Sequence, residues 1–121
     1  MTAPQLAPGT HLGPYEIVSR LGAGGMGEVY RARDTRLDRT VAIKVAAEKF
    51  SDRFEREARS IAALNHSNIC TLYDVGPNFL VMEYIEGETL EERIKRSALP
   101  VRECLHYAVQ IAAALEAAHR L

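Results

Sequence analysis

Four glycines and one lysine stand where the binding of an anion would want them. From Leu21 the chain reads Leu21-Gly22-Ala23-Gly24-Gly25-Met26-Gly27-Glu28-Val29-Tyr30, passes a polar stretch from Asp34 to Thr40, and closes on Val41-Ala42-Ile43-Lys44. Lacking Cβ atoms, the backbone at Gly22, Gly24, Gly25 and Gly27 can approach a ligand closely, and its N–H groups can cradle negative charge. The lysine ammonium, at the end of an apolar run, supplies the countercharge. Loop and lysine together are expected to hold the phosphates of one nucleotide.

The spacing Gly22-x-Gly24-x-x-Gly27 is weak by itself, because dinucleotide-binding crossovers also use it. Those folds open a helix directly after the last glycine. Here Glu28 to Arg33 has strand character, as do Tyr15 to Leu21 before the loop and Thr40 to Val45 after it. The loop is therefore expected between two antiparallel strands, which argues against the dinucleotide reading.

Ser51 or Asp52 as N-cap, with a capping box from Asp52 to Glu55, predicts a helix running to Leu64 or Asn65. Phe54, Glu57, Ile61 and Leu64 share one stripe of it. A carboxylate on an inward stripe is costly unless paired, which makes Lys44 the expected partner of Glu57. Two alternatives stay open: Glu57 at the rim, paired with Arg53 one turn away, or Glu55 in the same role. Downstream, Ile69 to Val75 and Asn78 to Tyr84 read as strands joined at Gly76-Pro77. A short helix from Thr89 to Arg96 carries Glu91–Lys95 and Glu92–Arg96 as surface pairs. Pro100 opens a last helix to Arg120, apolar nearly all round and so expected to be covered on several sides.

The 121 residues are 47% apolar and 26% charged with a net charge of -1, which suits one globular unit and gives no sign of nucleic-acid binding. Arg31, Arg33, Arg36 and Arg39 alternate with Asp34 and Asp38, the pattern of a solvated turn. Cys70 and Cys104 lie in apolar segments, suggesting buried thiols in a reducing compartment. The histidines lack zinc spacing, and no metal site is assigned. Residues 1–14 read as a flexible lead-in without signal-peptide character. No apolar run reaches the roughly 18 residues of a membrane span, so a cytoplasmic location is expected.

In chain order, Gly22-x-Gly24-x-x-Gly27-x-Val29, Val41-Ala42-Ile43-Lys44, the Glu57 helix, Leu64-Asn65-His66-Ser67-Asn68-Ile69 and Leu80-Val81-Met82-Glu83-Tyr84 resemble the N-terminal lobe of a eukaryotic-type (Hanks-type) serine/threonine protein kinase of the bacterial branch. The resemblance implies an α+β fold: a kinase-like N-lobe over residues 15–85, with a five-stranded antiparallel sheet and one packed helix, then two helices of an incomplete C-lobe over 86–121. It implies ATP beneath a glycine-rich loop from Leu21 to Val29, including Ala23 and Met26, with Leu21 and Val29 beside the adenine. Ala42 would pack on the other edge of the base, and Lys44 would reach the α- and β-phosphates while held by Glu57. Met82 would be the gatekeeper, Glu83 and Ile85 would offer hinge carbonyl and amide, and Thr89 would lie near the ribose. Ile61 and Leu72 would link helix and sheet. Ser67 replaces the family's usual proline after His66, which loosens that turn.

The resemblance also sets a boundary. The family's His-Arg-Asp base, its metal-binding asparagine and its Asp-Phe-Gly magnesium ligand do not occur in the 121 residues. The implied activity is ATP-dependent protein phosphorylation, but this chain alone is expected to be an inactive N-lobe fragment without its magnesium ligands. A protein substrate would engage only if the missing C-lobe were supplied. The alternative is a non-catalytic nucleotide-binding or kinase-docking module, able to self-associate through its apolar last helix.

Overall fold

β-Branched and aromatic residues alternate with polar ones from Tyr15 to Val45, and the segment folds as three long antiparallel strands. The computed structural model describes residues 5–24 and 27–121; Gly25 and Met26 of the glycine loop lie outside the described residues. In chain order the elements are β1 (His11–Leu12), β2 (Tyr15–Gly24), β3 (Gly27–Asp34), β4 (Arg39–Val45), α1 (Asp52–Ala62), β5 (Leu72–Val75), β6 (Phe79–Glu83), α2 (Leu90–Arg96) and α3 (Val101–His119). The strands form one antiparallel sheet in the order β1-β2-β3-β4-β6-β5.

The sheet has six strands where five were expected. The added one is β1, turned back onto β2 through Gly13, whose φ of 60° is one that glycine adopts without a Cβ penalty. Nearby, the Gly9 N–H donates to the Ile17 carbonyl and the Ile17 N–H to the Thr10 carbonyl, both at 2.8 Å. The Leu6 N–H donates to the Tyr30 hydroxyl at 2.9 Å. Residues 6–14 are thus fastened to the sheet and do not form an unattached lead-in.

Tyr15, Ile17, Tyr30, Ala32, Val41, Ile43, Val45 and Val81 make one buried cluster. The register aligns Tyr30, Ile43 and Val81 across three strands, and each large side chain so buried is worth about 1.5–3 kcal/mol. Alternation then sends Val29, Ala42, Lys44 and Met82 to the opposite face of the sheet.

Several local expectations change. The α1 cap is Ser51, whose Oγ accepts the Phe54 N–H at 3.1 Å, so Glu55 falls one position late for the capping box. The helix ends at Ala62, and β5 begins at Leu72 because the Ile69 N–H is held in a turn by the His66 carbonyl. The β3–β4 turn is not merely solvated: Asp34 is 1% exposed, and its Oδ1 accepts the Arg36 and Leu37 N–H groups at 3.0 and 3.3 Å. In α2 the Glu91–Lys95 pair forms at 2.9 Å, whereas Arg96 turns to Glu88 instead of Glu92. Cys70 and Cys104 are both exposed: the first lies in the connection before β5, and the second on α3, which has no buried residue. No residue of α3 is buried, and Val101, Leu105 and Val109 are among its exposed apolar side chains.

Candidate functional site

Strand pairing gathers the loop and lysine residues on one face. Gly22 of β2 stands opposite Val29 of β3, Val29 opposite Lys44 of β4, and Ala42 opposite Met82 of β6. Ala23 pairs with Glu28 and Gly24 with Gly27, closing the hairpin. Leu21 is skipped in the register, a bulge that leaves its side chain 46% exposed at the edge of the face.

The glycines differ in what they permit. A Cβ on Gly22 would meet nothing within 4 Å, so the space above it is open. Gly27, with φ of 132°, could not carry a side chain: its Cβ would lie 2.0 Å from the Val45 carbonyl oxygen. The last glycine is therefore required by the packing of the hairpin on β4, and the first leaves room for a ligand.

Lys44 is half-buried, and among the described residues no carboxylate lies within 4.0 Å of its ammonium. The expected Lys44–Glu57 pair is not formed. Glu57 Oε1 instead accepts from Arg53 Nε at 3.1 Å, with the Glu57 side chain 60% exposed. The cause is helix phase: Ala58 is the inward residue of α1, and the next position on a helix lies about 100° around the axis. The rim alternative describes this arrangement. Glu55 pairs along the helix with Arg59.

At the far side, Glu83 is engaged on both backbone and side chain. Its N–H donates to the Thr71 carbonyl at 2.8 Å, and its Oε1 accepts the Thr71 N–H at 3.2 Å. Cys70 Sγ lies 3.5 Å from the Glu83 carbonyl oxygen; partial burial and the Glu83 charge push that thiol's pKa up. Ile85 is exposed just beyond β6, and Thr89 caps α2 by accepting the Glu92 N–H at 3.1 Å. Sequence reasoning did not single out Glu28, whose carboxylate receives a 2.6 Å bond from Arg20 Nε beside the loop. Arg20 stands opposite Tyr30, two residues from Glu28, and this diagonal opposite-charge pair on adjacent strands was the available signal.

An apolar cavity lies elsewhere. It holds about 1050 Å³ between α1, α2 and α3, with Ile61, Leu64, Tyr107 and Ile111 on its walls and Glu57 at its margin. None of Gly22, Ala42, Lys44 or Met82 lines it. The open face of the sheet, with its cation and its bare glycine, has the chemistry of a phosphate site; the cavity is chiefly apolar.

A model of the protein kinase domain matches residues 15–121. The serine/threonine-protein kinase PrkC of Bacillus subtilis is 42% identical over 119 residues, covering 89% of this chain and 18% of that protein. A probable serine/threonine-protein kinase of Streptomyces coelicolor is 44% identical over 124 residues, again covering 89% of the chain and 18% of the relative. The crystal structure of the Mycobacterium tuberculosis PknI kinase domain superposes with a TM-score of 0.87 at 31% identity, over 96% of this chain and 52% of that one. The chain belongs to the protein kinase family, among relatives named as bacterial serine/threonine-protein kinases. It spans less than a fifth of the length of these curated relatives and about half of the solved kinase domain.

The family uses ATP and magnesium. ATP fits the open face: a bare Gly22, a half-buried lysine without a carboxylate, and small Ala42 beside Met82. Among the described residues no three His, Cys, Asp or Glu side chains gather as a metal site. No helix among those residues is long and apolar enough to cross a membrane.

Proposed function

We propose that the face carrying Gly22, Val29, Ala42 and Lys44, continued by Met82 to Ile85, binds ATP as the front half of a serine/threonine kinase site. The observation that carries the reading is the single row of register from Gly22 through Val29 to Lys44, with open space above the glycine. Loop amides of Gly22, Ala23, Gly24 and Gly27 meet the phosphates, and the Lys44 ammonium neutralises their charge. Val29 and Leu21 pack on the adenine from above and Ala42 from its other edge. Met82 closes the back of the slot. The Glu83 carbonyl accepts from the base, and the Ile85 N–H donates to it. Glu57 orients Lys44 once it leaves Arg53, which fixes a flexible ammonium on the phosphate.

Transfer to a serine or threonine hydroxyl of a protein is the family's reaction. It requires a base and metal ligands that the 121 residues do not hold, so the chain by itself binds without transferring. A cytoplasmic location accords with this use of ATP. Backbone amide NMR during ATP addition tests the site: shifts centred on Gly22, Gly27, Val29, Lys44, Glu83 and Ile85 support it. Shifts confined to the apolar cavity would displace it.

A second reading, a docking module that pairs with a copy of itself, draws on the exposed apolar residues of α3. Sedimentation equilibrium separates it from the first, since a monomer at all concentrations contradicts self-association and leaves ATP binding untouched.

A further inference from the structure

The last rung between β5 and β6 is completed by a side chain. The strands pair antiparallel with Leu72 opposite Met82, which brings Thr71 opposite Glu83 one step further on. Two residues that face each other at a hydrogen-bonded position of such a ladder exchange two main-chain bonds, each N–H going to the other's carbonyl. Half of that exchange is present, since the Glu83 N–H donates to the Thr71 carbonyl at 2.8 Å. The return bond takes another course: the Thr71 N–H donates to Oε1 of the Glu83 side chain at 3.2 Å. The Glu83 carbonyl is left facing the Cys70 thiol at 3.5 Å, a weak donor to an oxygen with two lone pairs. Glu83 is half-buried, where an acceptor meets less competition from water than at the surface.

We propose that the Glu83 carboxylate is a positioning group: by taking the Thr71 N–H it keeps the Glu83 carbonyl out of the ladder and free for the base, and so sets the preference for a purine with an exocyclic amino donor. The inference rests on the ATP reading above, which uses only the main chain of Glu83. Without the carboxylate, the Thr71 N–H turns to the nearest free acceptor, the Glu83 carbonyl, and the ladder closes by one rung. A carbonyl drawn into the ladder meets the base donor off line, where hydrogen bonds weaken steeply. The loss is about one neutral hydrogen bond, or roughly fivefold in affinity.

Backbone amide NMR titration of the 121-residue chain with two nucleotides tests this. ATP is compared with purine riboside triphosphate, which lacks only the exocyclic amino group. Both carry the same triphosphate, so the ratio of their dissociation constants cancels any general effect of protein charge on the phosphates. Wild type is expected to favour ATP roughly fivefold, and Glu83→Ala to bring the two affinities within about twofold. Glu83→Gln, whose amide oxygen still accepts the Thr71 N–H, restores the preference that alanine loses. Glu83→Asp keeps the charge one methylene short of Thr71 and is expected to lose the preference as alanine does; it carries the test if alanine fails to fold. A full preference in Glu83→Ala or Glu83→Asp overturns the proposal. Loss of the preference in Glu83→Gln also overturns it, because the residue would then act by its charge and not as an acceptor. Binding that is absent in wild type, indifferent to Lys44→Met or without preference between the two nucleotides would instead strike the ATP reading on which the proposal stands.

Discussion

The Tyr15 hydroxyl donates a 2.6 Å hydrogen bond to Oδ2 of Asp74, tying the first residue of β2 to β5 across 59 positions of sequence. Arg36 Nη2 donates to the same hydroxyl at 3.2 Å, and the Phe79 ring meets the tyrosine edge-on at 6.4 Å. Burial first, then the bond to Asp74 and its charge, push the phenol's pKa up from 10.0 to about 12. A group whose pKa is raised on folding contributes stability that is fully present below its unfolded value. Here that contribution is lost as pH rises from about 10 through about 12. Tyr15→Phe is expected to cost about 1–2 kcal/mol at neutral pH and to flatten this alkaline loss. Urea midpoints of both proteins across the pH range check it, and parallel alkaline slopes would count against it.

Asp34→Ala should destabilise the chain by about 2–4 kcal/mol. The substitution strips the acceptor from the Arg36 and Leu37 N–H groups and the counter-charge from Arg36 and Arg39, whose Nε atoms lie 3.7 and 3.8 Å from the carboxylate. Thermal or urea unfolding reads the loss. A change below about 0.5 kcal/mol would return this turn to the solvated kind.

Gly27→Ala and Gly22→Ala should separate folding from binding. The first places a Cβ into the Val45 carbonyl at a backbone angle that L residues avoid, for an expected cost of about 2–4 kcal/mol. The second meets open space and should cost less than about 1 kcal/mol in stability while weakening ATP, because it fills the approach to the phosphates. Equal destabilisation by both would show that Gly22 is also a packing residue.

Glu57→Gln should leave the stability of the ATP-free chain within about 0.5 kcal/mol, since an exposed pair with Arg53 is all that it loses. A loss of about 3 kcal/mol would reveal a buried ion pair and hence an inward Glu57.

Much of this was legible in the residues. Alternation placed β2, β3 and β4, and glycine spacing followed by strand character marked the loop and its lysine. What escaped depended on contacts between distant segments or on helix phase. Nothing local to His11 and Leu12 announces that the Ile17 backbone will hold their segment in place. Asp34 looks like any turn aspartate until two backbone N–H groups and two arginines close on it. Glu57 shares a stripe with Phe54 and Ile61, but Ala58 is the residue that α1 turns inward. Small residues carry little weight in a hydrophobic stripe, so the phase was drawn through the larger ones. Met26 and Gly25, named with the loop, lie outside the described residues.

Lys44 and the glycine loop are proposed to hold the phosphates of ATP together. Calorimetric titration of wild-type and Lys44→Met chains with ATP, each with and without magnesium, tests it most directly. Wild type is expected to bind weakly, little helped by magnesium, and Lys44→Met at least tenfold more weakly, about 1.4 kcal/mol for the lost charge-assisted contact. Equal ATP affinity in the two proteins would contradict it.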